Sequence, residues 1–453
     1  MSGRAIRWLL LLVFAALLVR LGLLVVSFGT TSVQMDFSAY YAAGQSVRYG
    51  LSPYVNHVDH DPPIWDGVNR YRHSRFLYPP LAARLLLPFA LLPYAAAKYV
   101  WMVLALLAAI GAVGIAARLA RLPRTPVNLL VLGIVTVAFF PLLTLLERGQ
   151  IDSATLLLVL AAAALTTKRR TALAGGALFA VATMLKLHCV FLVPFLLIRR
   201  RFKAAAGFVA GAAALLVVGI AVDGYATVAG YIADELPRIA RHGEGGSREM
   251  LLSPDRFRQV LAGAGPGRTV MDGREYEPET MQFVLNASLV RTPFGRATWS
   301  SVKQLGIQIL PSQLSLIFFA IGIGVILVGS LAWGMPREAD GVFELTFCQI
   351  ALVLVLLCAP ATWAMGAVWL LPVAVLVLYH RGEWSRARYG LPLAICLLGL
   401  TLAGVPDALS GALLGLLGAR VTQLKYVIAE LLVLAGLLAL WRADRMRPSA
   451  DRP

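Results

Sequence analysis

About ten stretches of roughly twenty mostly apolar residues recur along this chain, with arginine and lysine in short clusters between them, and no other feature narrows its fold so far. In a bilayer every backbone N–H and C=O must find a partner within the protein, so such stretches become membrane-crossing helices. They run approximately over 6–28, 94–117, 127–146, 151–167, 202–222, 312–333, 342–358, 366–379, 389–403 and 425–441. The composition agrees, with 59% hydrophobic and only 14% charged residues among 453, too apolar for a soluble globular chain. A formal net charge of +17 would suit nucleic acid if the basic residues shared one soluble face. Here they fall between apolar runs, so nucleic acid is not an expected partner. Cys189, Cys348, Cys358 and Cys396 sit in or beside apolar stretches without metal-ligand spacing and read as packing residues.

The chain opens with Arg4 and Arg7 and then runs apolar from Trp8 to Phe28, interrupted only by Arg20. That core exceeds a signal-peptide h-region and is followed by no small-residue cleavage site, so it reads as a retained first span. Between Lys168-Arg169-Arg170 and Arg199-Arg200-Arg201 lies an apolar stretch too long for one span and too short for two. A helical hairpin that enters and leaves on the same side is expected there, with Lys186 and His188 at its bend. Placing the N-terminus inside puts the basic clusters inside as well, as the positive-inside rule requires. Both termini are then cytoplasmic, and 29–79 and 223–311 are long outer loops. The expected fold is an all-α polytopic membrane protein with a short helical hairpin and interfacial helices on the outer side. It divides into an N-terminal membrane module (1–222), the loop 223–311 and C-terminal transmembrane helices (312–453). An excess of Arg over Lys, with abundant Ala, Leu and Gly, suits a bacterial plasma-membrane protein.

Loops of this length mark functional segments. In the first, Asp36 suits the start of a short helix ending at Gly50. The i, i+4 spacing sets Tyr40 on its face, with Tyr41 beside it. Leu81 to Leu92, closed by Pro93, reads as an interfacial helix, and Pro406 to Ala419 as a sub-length, re-entrant piece. An enzyme acting on a lipid-linked substrate needs a base for the acceptor, cations for a donor phosphate and a groove for the tail. Asp36 is the candidate base; it is equally suited to a helix cap. The candidate phosphate and substrate ligands are Arg72, Arg75, Tyr78, Arg148, Gln150, Lys186 and His188. Lys186 stands out because it lies deep in an apolar stretch, although such a lysine can also snorkel to a surface. Glu147 to Asp152 joins two spans, as an ion-paired turn or as a substrate contact. His57, Asp59, His60 and Asp61 are crowded, but their spacing is that of no recognised site, and no metal is expected. No Gly-rich phosphate loop and no cofactor motif is present.

The order Asp36-Phe-Ser-Ala-Tyr40-Tyr41-Ala-Ala-Gly44, Gly50-Leu-Ser-Pro-Tyr54, Tyr78-Pro79-Pro80-Leu81, Gly149-Gln150 and Ala-Thr-Met-Leu-Lys186 before Arg-Arg-Arg-Phe202-Lys203 resembles glycosyltransferase family 87. Asn286-Ala-Ser288 and Pro360-Ala-Thr-Trp363 through Trp369-Leu-Leu-Pro372 extend the resemblance more loosely. It implies a GT-C-type enzyme using a polyprenyl-phosphate sugar donor and a glycolipid or glycan acceptor, as do mannosyl- and arabinofuranosyltransferases of cell envelopes. It further implies Asp36 as catalytic base, an outward-facing site, and a hairpin bearing Lys186 near the donor, with Asn286 among the substrate ligands. In one respect the chain departs from the pattern: where the family carries histidine after the tryptophan matching Trp363, this chain has Met365 and Gly366. A glycolipid flippase and a non-catalytic envelope scaffold are the competing readings.

Overall fold

The computed structural model describes residues 3–31, 34–54, 76–237, 341–358, 364–406 and 425–445, with short pieces between 269 and 326 and at 409. The first helix, α1 (Gly3–Thr31), is followed by the short α2 (Met35–Arg48). Next come α3 (Pro80–Ala90), α4 (Tyr94–Leu119), α5 (Pro126–Ala138) and α6 (Phe140–Arg148). After α7 (Asp152–Thr166) the chain forms α8 (Ala172–Leu185), a 3-10 turn (Leu187–Leu192) and α9 (Val193–Ile198). The long α10 (Phe202–Asp223) leads into α11 (Tyr225–Gly230) and a π turn (Tyr231–Glu235). The C-terminal part contributes α12 (Gly341–Cys358), a 3-10 helix (Ala364–Leu370), α13 (Val373–Tyr379), α14 (Ala387–Gly404) and α15 (Lys425–Arg445). Two short antiparallel pairings, Thr269–Met271 with Arg274–Tyr276 and Arg291–Thr292 with Gly295–Arg296, lie within the second loop.

Among the described residues, six helices are long and apolar enough to cross a membrane, or seven if the bent pair α5–α6 is one span. Ten are therefore not found: Asp152–Thr166 and Gly341–Leu357 are apolar but shorter, and the expected span 312–333 lies mostly outside the described residues. Several long apolar helices nevertheless make this an integral multi-pass membrane protein. Side chains such as Leu12, Val19 and Leu23 on α1 and Val209 and Val217 on α10 stay exposed, as they would against lipid.

Local sequence explains the breaks. Thr125 caps α5 by accepting a hydrogen bond from the Asn128 amide at 3.2 Å, with Pro126 in the first turn. Pro141 supplies no amide to the carbonyl four residues earlier, Phe139 turns extended, and α6 leaves α5 at 50°. That bend carries Arg148 to the site. The hairpin is closely packed because α8 meets α10 through glycines: a Cβ on Gly176 would lie 1.9 Å from the Ala204 carbonyl oxygen, and one on Gly207 2.1 Å from that of Leu173. Small residues at such crossings let helix backbones approach directly.

The two ends of the 172–198 segment come together at one end of α7, where Arg201 donates to the Thr166 hydroxyl at 2.6 Å. Its bend lies at the other end of α7, where Lys186 pairs with Asp152. The chain thus forms the anticipated hairpin, with its flanking basic clusters remote from Lys186.

Candidate functional site

Asp36 lies in the first turn of α2, which Gln34 enters in a left-handed conformation (φ 50°) without a side-chain cap. Gln34 is tied to the end of α6 by a hydrogen bond from its amide nitrogen to the Leu146 carbonyl at 3.2 Å. Asp36 is only 6% exposed as a residue, and its carboxylate is held by Arg148 through Nε to Oδ2 at 2.7 Å and Nη2 to Oδ1 at 3.4 Å. Arg148 is the last residue of α6, and Gly149 ends that helix with φ +73°. Glycine is required twice over there, because a Cβ would also sit 2.4 Å from the Phe37 Cβ. Trp101 then fastens the turn, its indole N–H donating to the Gly149 carbonyl at 2.8 Å while its ring stacks on Phe37.

Tyr40, one helical turn beyond Asp36, donates to Gln150 Oε1 at 3.0 Å and shares a 2.7 Å hydrogen bond with the Tyr78 hydroxyl. Burial, then the Tyr78 hydroxyl and the Asp36 carboxylate, hold the Tyr40 phenol well above the ordinary tyrosine range. Tyr78 is raised too, first by burial, with the Tyr40 hydrogen bond opposing it and Asp152 and Asp36 adding to it. Both phenols stay neutral donors, and both feel the two carboxylates.

Asp152 opens α7 and pairs with Lys186, which ends α8 in an extended conformation. Its backbone carbonyl accepts from the Trp369 indole N–H at 3.0 Å. The Lys186 ammonium lies 5.9 Å from the centre of that indole, and the His188 ring 5.5 Å from it in an edge-on arrangement. Among the described residues, His188 Nε2 is enclosed and has no hydrogen-bond partner. An apolar cavity of about 270 Å³ is lined by Pro79, Met184 and Leu187, close along the chain to Tyr78 and Lys186, and by Leu215 and Tyr231.

Asp36, Tyr40, Tyr78, Arg148, Gln150, Lys186 and His188 therefore gather at one end of the bundle. Tyr41 turns away: its hydroxyl donates to the Leu92 carbonyl at 2.8 Å and accepts from Gln45 at 3.0 Å, within the packing of α2 on α3 and α4. Arg72, Arg75, Asn286 and Trp363 lie outside the described residues, as do His57, Asp59, His60 and Asp61. Met365 is fully buried in the core. Asp152 entered the sequence reading only within the Glu147–Asp152 turn, as an ion pair or a substrate contact, and Trp369 only within the looser stretch of the resemblance, neither with a role of its own.

A multi-pass membrane protein with two buried carboxylate–cation pairs and two neutral phenols beside an apolar cavity is equipped to hold a polar group on a greasy carrier. Residues 76–271 match the model of glycosyltransferase family 87. The matched region holds Tyr78, Arg148, Gln150, Asp152, Lys186 and His188, while Asp36 and Tyr40 precede it and Trp369 follows it. No curated protein matches the chain.

Proposed function

We propose that this protein is an inverting glycosyltransferase that moves a sugar, mannose ahead of arabinofuranose, from a polyprenyl phosphate to an envelope glycolipid or glycan on the outer face of a bacterial plasma membrane. The observation that carries the reading is the buried Asp36, oriented by Arg148 beside the Tyr40–Tyr78 pair, with an apolar cavity lined by Pro79 and Leu187, the chain neighbours of Tyr78 and Lys186. A carboxylate offers about four lone-pair positions, so one held by Arg148 can still accept the acceptor's proton. The acceptor oxygen attacks the anomeric carbon, its proton passes to Asp36, and the bond from carbon to phosphate oxygen breaks with its electron pair on the phosphate. Lys186 and His188 meet that phosphate, the cavity takes the first prenyl units, and the neutral phenols donate to sugar or phosphate oxygens. One displacement inverts the anomeric centre.

The membrane module 1–222 supplies these groups. The shorter helices α7 and α12 and the segment 312–333 complete ten spans in this reading. Both termini are cytoplasmic, which sets the basic hairpin ends inside and Asp36 outside. Asp36→Asn keeps the shape and removes the base. Transfer from a synthetic polyprenyl-phosphate mannose to extracted envelope lipids should fall about a hundred- to ten-thousandfold, and wild-type turnover in a folded Asp36→Asn protein sinks the proposal.

A further inference from the structure

Lys186 does not stand alone in the site. Its ammonium is paired with Asp152, whose side chain is almost fully buried (2% exposed). Asp152 is held at both ends, by Lys186 through its carboxylate and by Trp369 through its backbone carbonyl. It also lies in the first turn of α7, where the helix dipole favours a negative charge. An ammonium has three N–H donors, so the pairing leaves others for a substrate while offsetting most of the charge. A cation meant only to grip an anion would be poorly served by so close a carboxylate.

The proposed reaction changes the anion in a way that gives the carboxylate a use. The donor is a phosphodiester with one negative charge, and the released lipid is a monoester carrying about −1.5 to −2 at neutral pH. The departing lipid phosphate therefore binds any bare cation more tightly than the donor did, and each turnover must end with its release. We infer that Asp152 is a counter-carboxylate that shares the Lys186 ammonium and sets how firmly the leaving lipid phosphate is held, so that product leaves and turnover continues. This rests on the reading that Lys186 meets the donor phosphate. Asp152 acts through Lys186 and forms no bond to the sugar.

The test uses the full chain in nanodiscs, with a polyprenyl monophosphate and the matching polyprenol as probes. Removing a negative charge adjacent to an anion site changes affinity by about tenfold or more. Asp152→Asn should accordingly bind the monophosphate about tenfold tighter with polyprenol binding unchanged. Its first turnover should survive while steady-state turnover falls under product inhibition, and Asp152→Glu should restore wild-type behaviour. Equal or weaker monophosphate binding by Asp152→Asn, with Lys186→Gln still losing it, overturns the inference and leaves the donor reading standing. Monophosphate binding that Lys186→Gln does not weaken overturns both. A second measurement needs no asparagine variant: wild type should bind the monophosphate no more tightly than the sugar-loaded diester, and a much tighter hold on the product overturns the inference.

Discussion

Arg148 orients the Asp36 carboxylate and neutralises it, and the pair is nearly sealed from water, with side-chain exposures of 7% and 9%. A buried ion pair adds little to stability over an apolar pair of the same shape, yet removing one partner strands the other. Arg148→Ala should therefore cost about 3 kcal/mol of stability, seen as a lower unfolding midpoint, whereas Asp36→Ala in the same background should recover part of the loss. Additive losses in the double variant would show that the two side chains do not act as a unit. The sequence already marked Asp36, Arg148 and Lys186, because charge next to an apolar run is conspicuous. It did not mark Asp152 as Lys186's partner, since that acid looks like any residue of a polar turn.

Among the elements, the hairpin α8–α9 is what brings Lys186 and His188 to the site. Its position depends on backbone contact with α10, where Gly176 leaves no room for even one added carbon beside Ala204. Gly176→Val should force the helices apart, lower the melting temperature and weaken binding of a polyprenyl monophosphate. Ala174→Val, at an exposed position on the same helix, serves as the control. Melting unchanged by Gly176→Val would mean that the hairpin is seated by other contacts. The hairpin was legible in the chain because basic clusters bracket an apolar stretch of awkward length. The close glycine crossing was not, because the sequence holds 40 glycines and only packing shows which of them a neighbour touches. The bend at Phe139 was hidden likewise: the stretch 127–146 reads as one span, and Pro141 tells only that a break is possible.

Over the whole molecule, the hairpin ends and the Asp36 cluster occupy opposite ends of α7, so they should face opposite sides of the membrane. Single cysteines placed at the exposed Ser52 and Arg200 in a cysteine-free background test this. In intact cells a membrane-impermeant maleimide should label the first and spare the second; the reverse pattern would invert the proposed topology. That the chain is a helical membrane protein with its acids and bases near helix ends follows from local runs of apolar and charged residues, since the cost of placing either in lipid or water depends on the residue alone. Partnership is another matter. Asp36 and Arg148 stand 112 positions apart, and Trp369 reaches an Asp152 that precedes it by 217. Such pairings depend on how helices bend, cross and close on one another, and only the packed bundle decides which charge meets which.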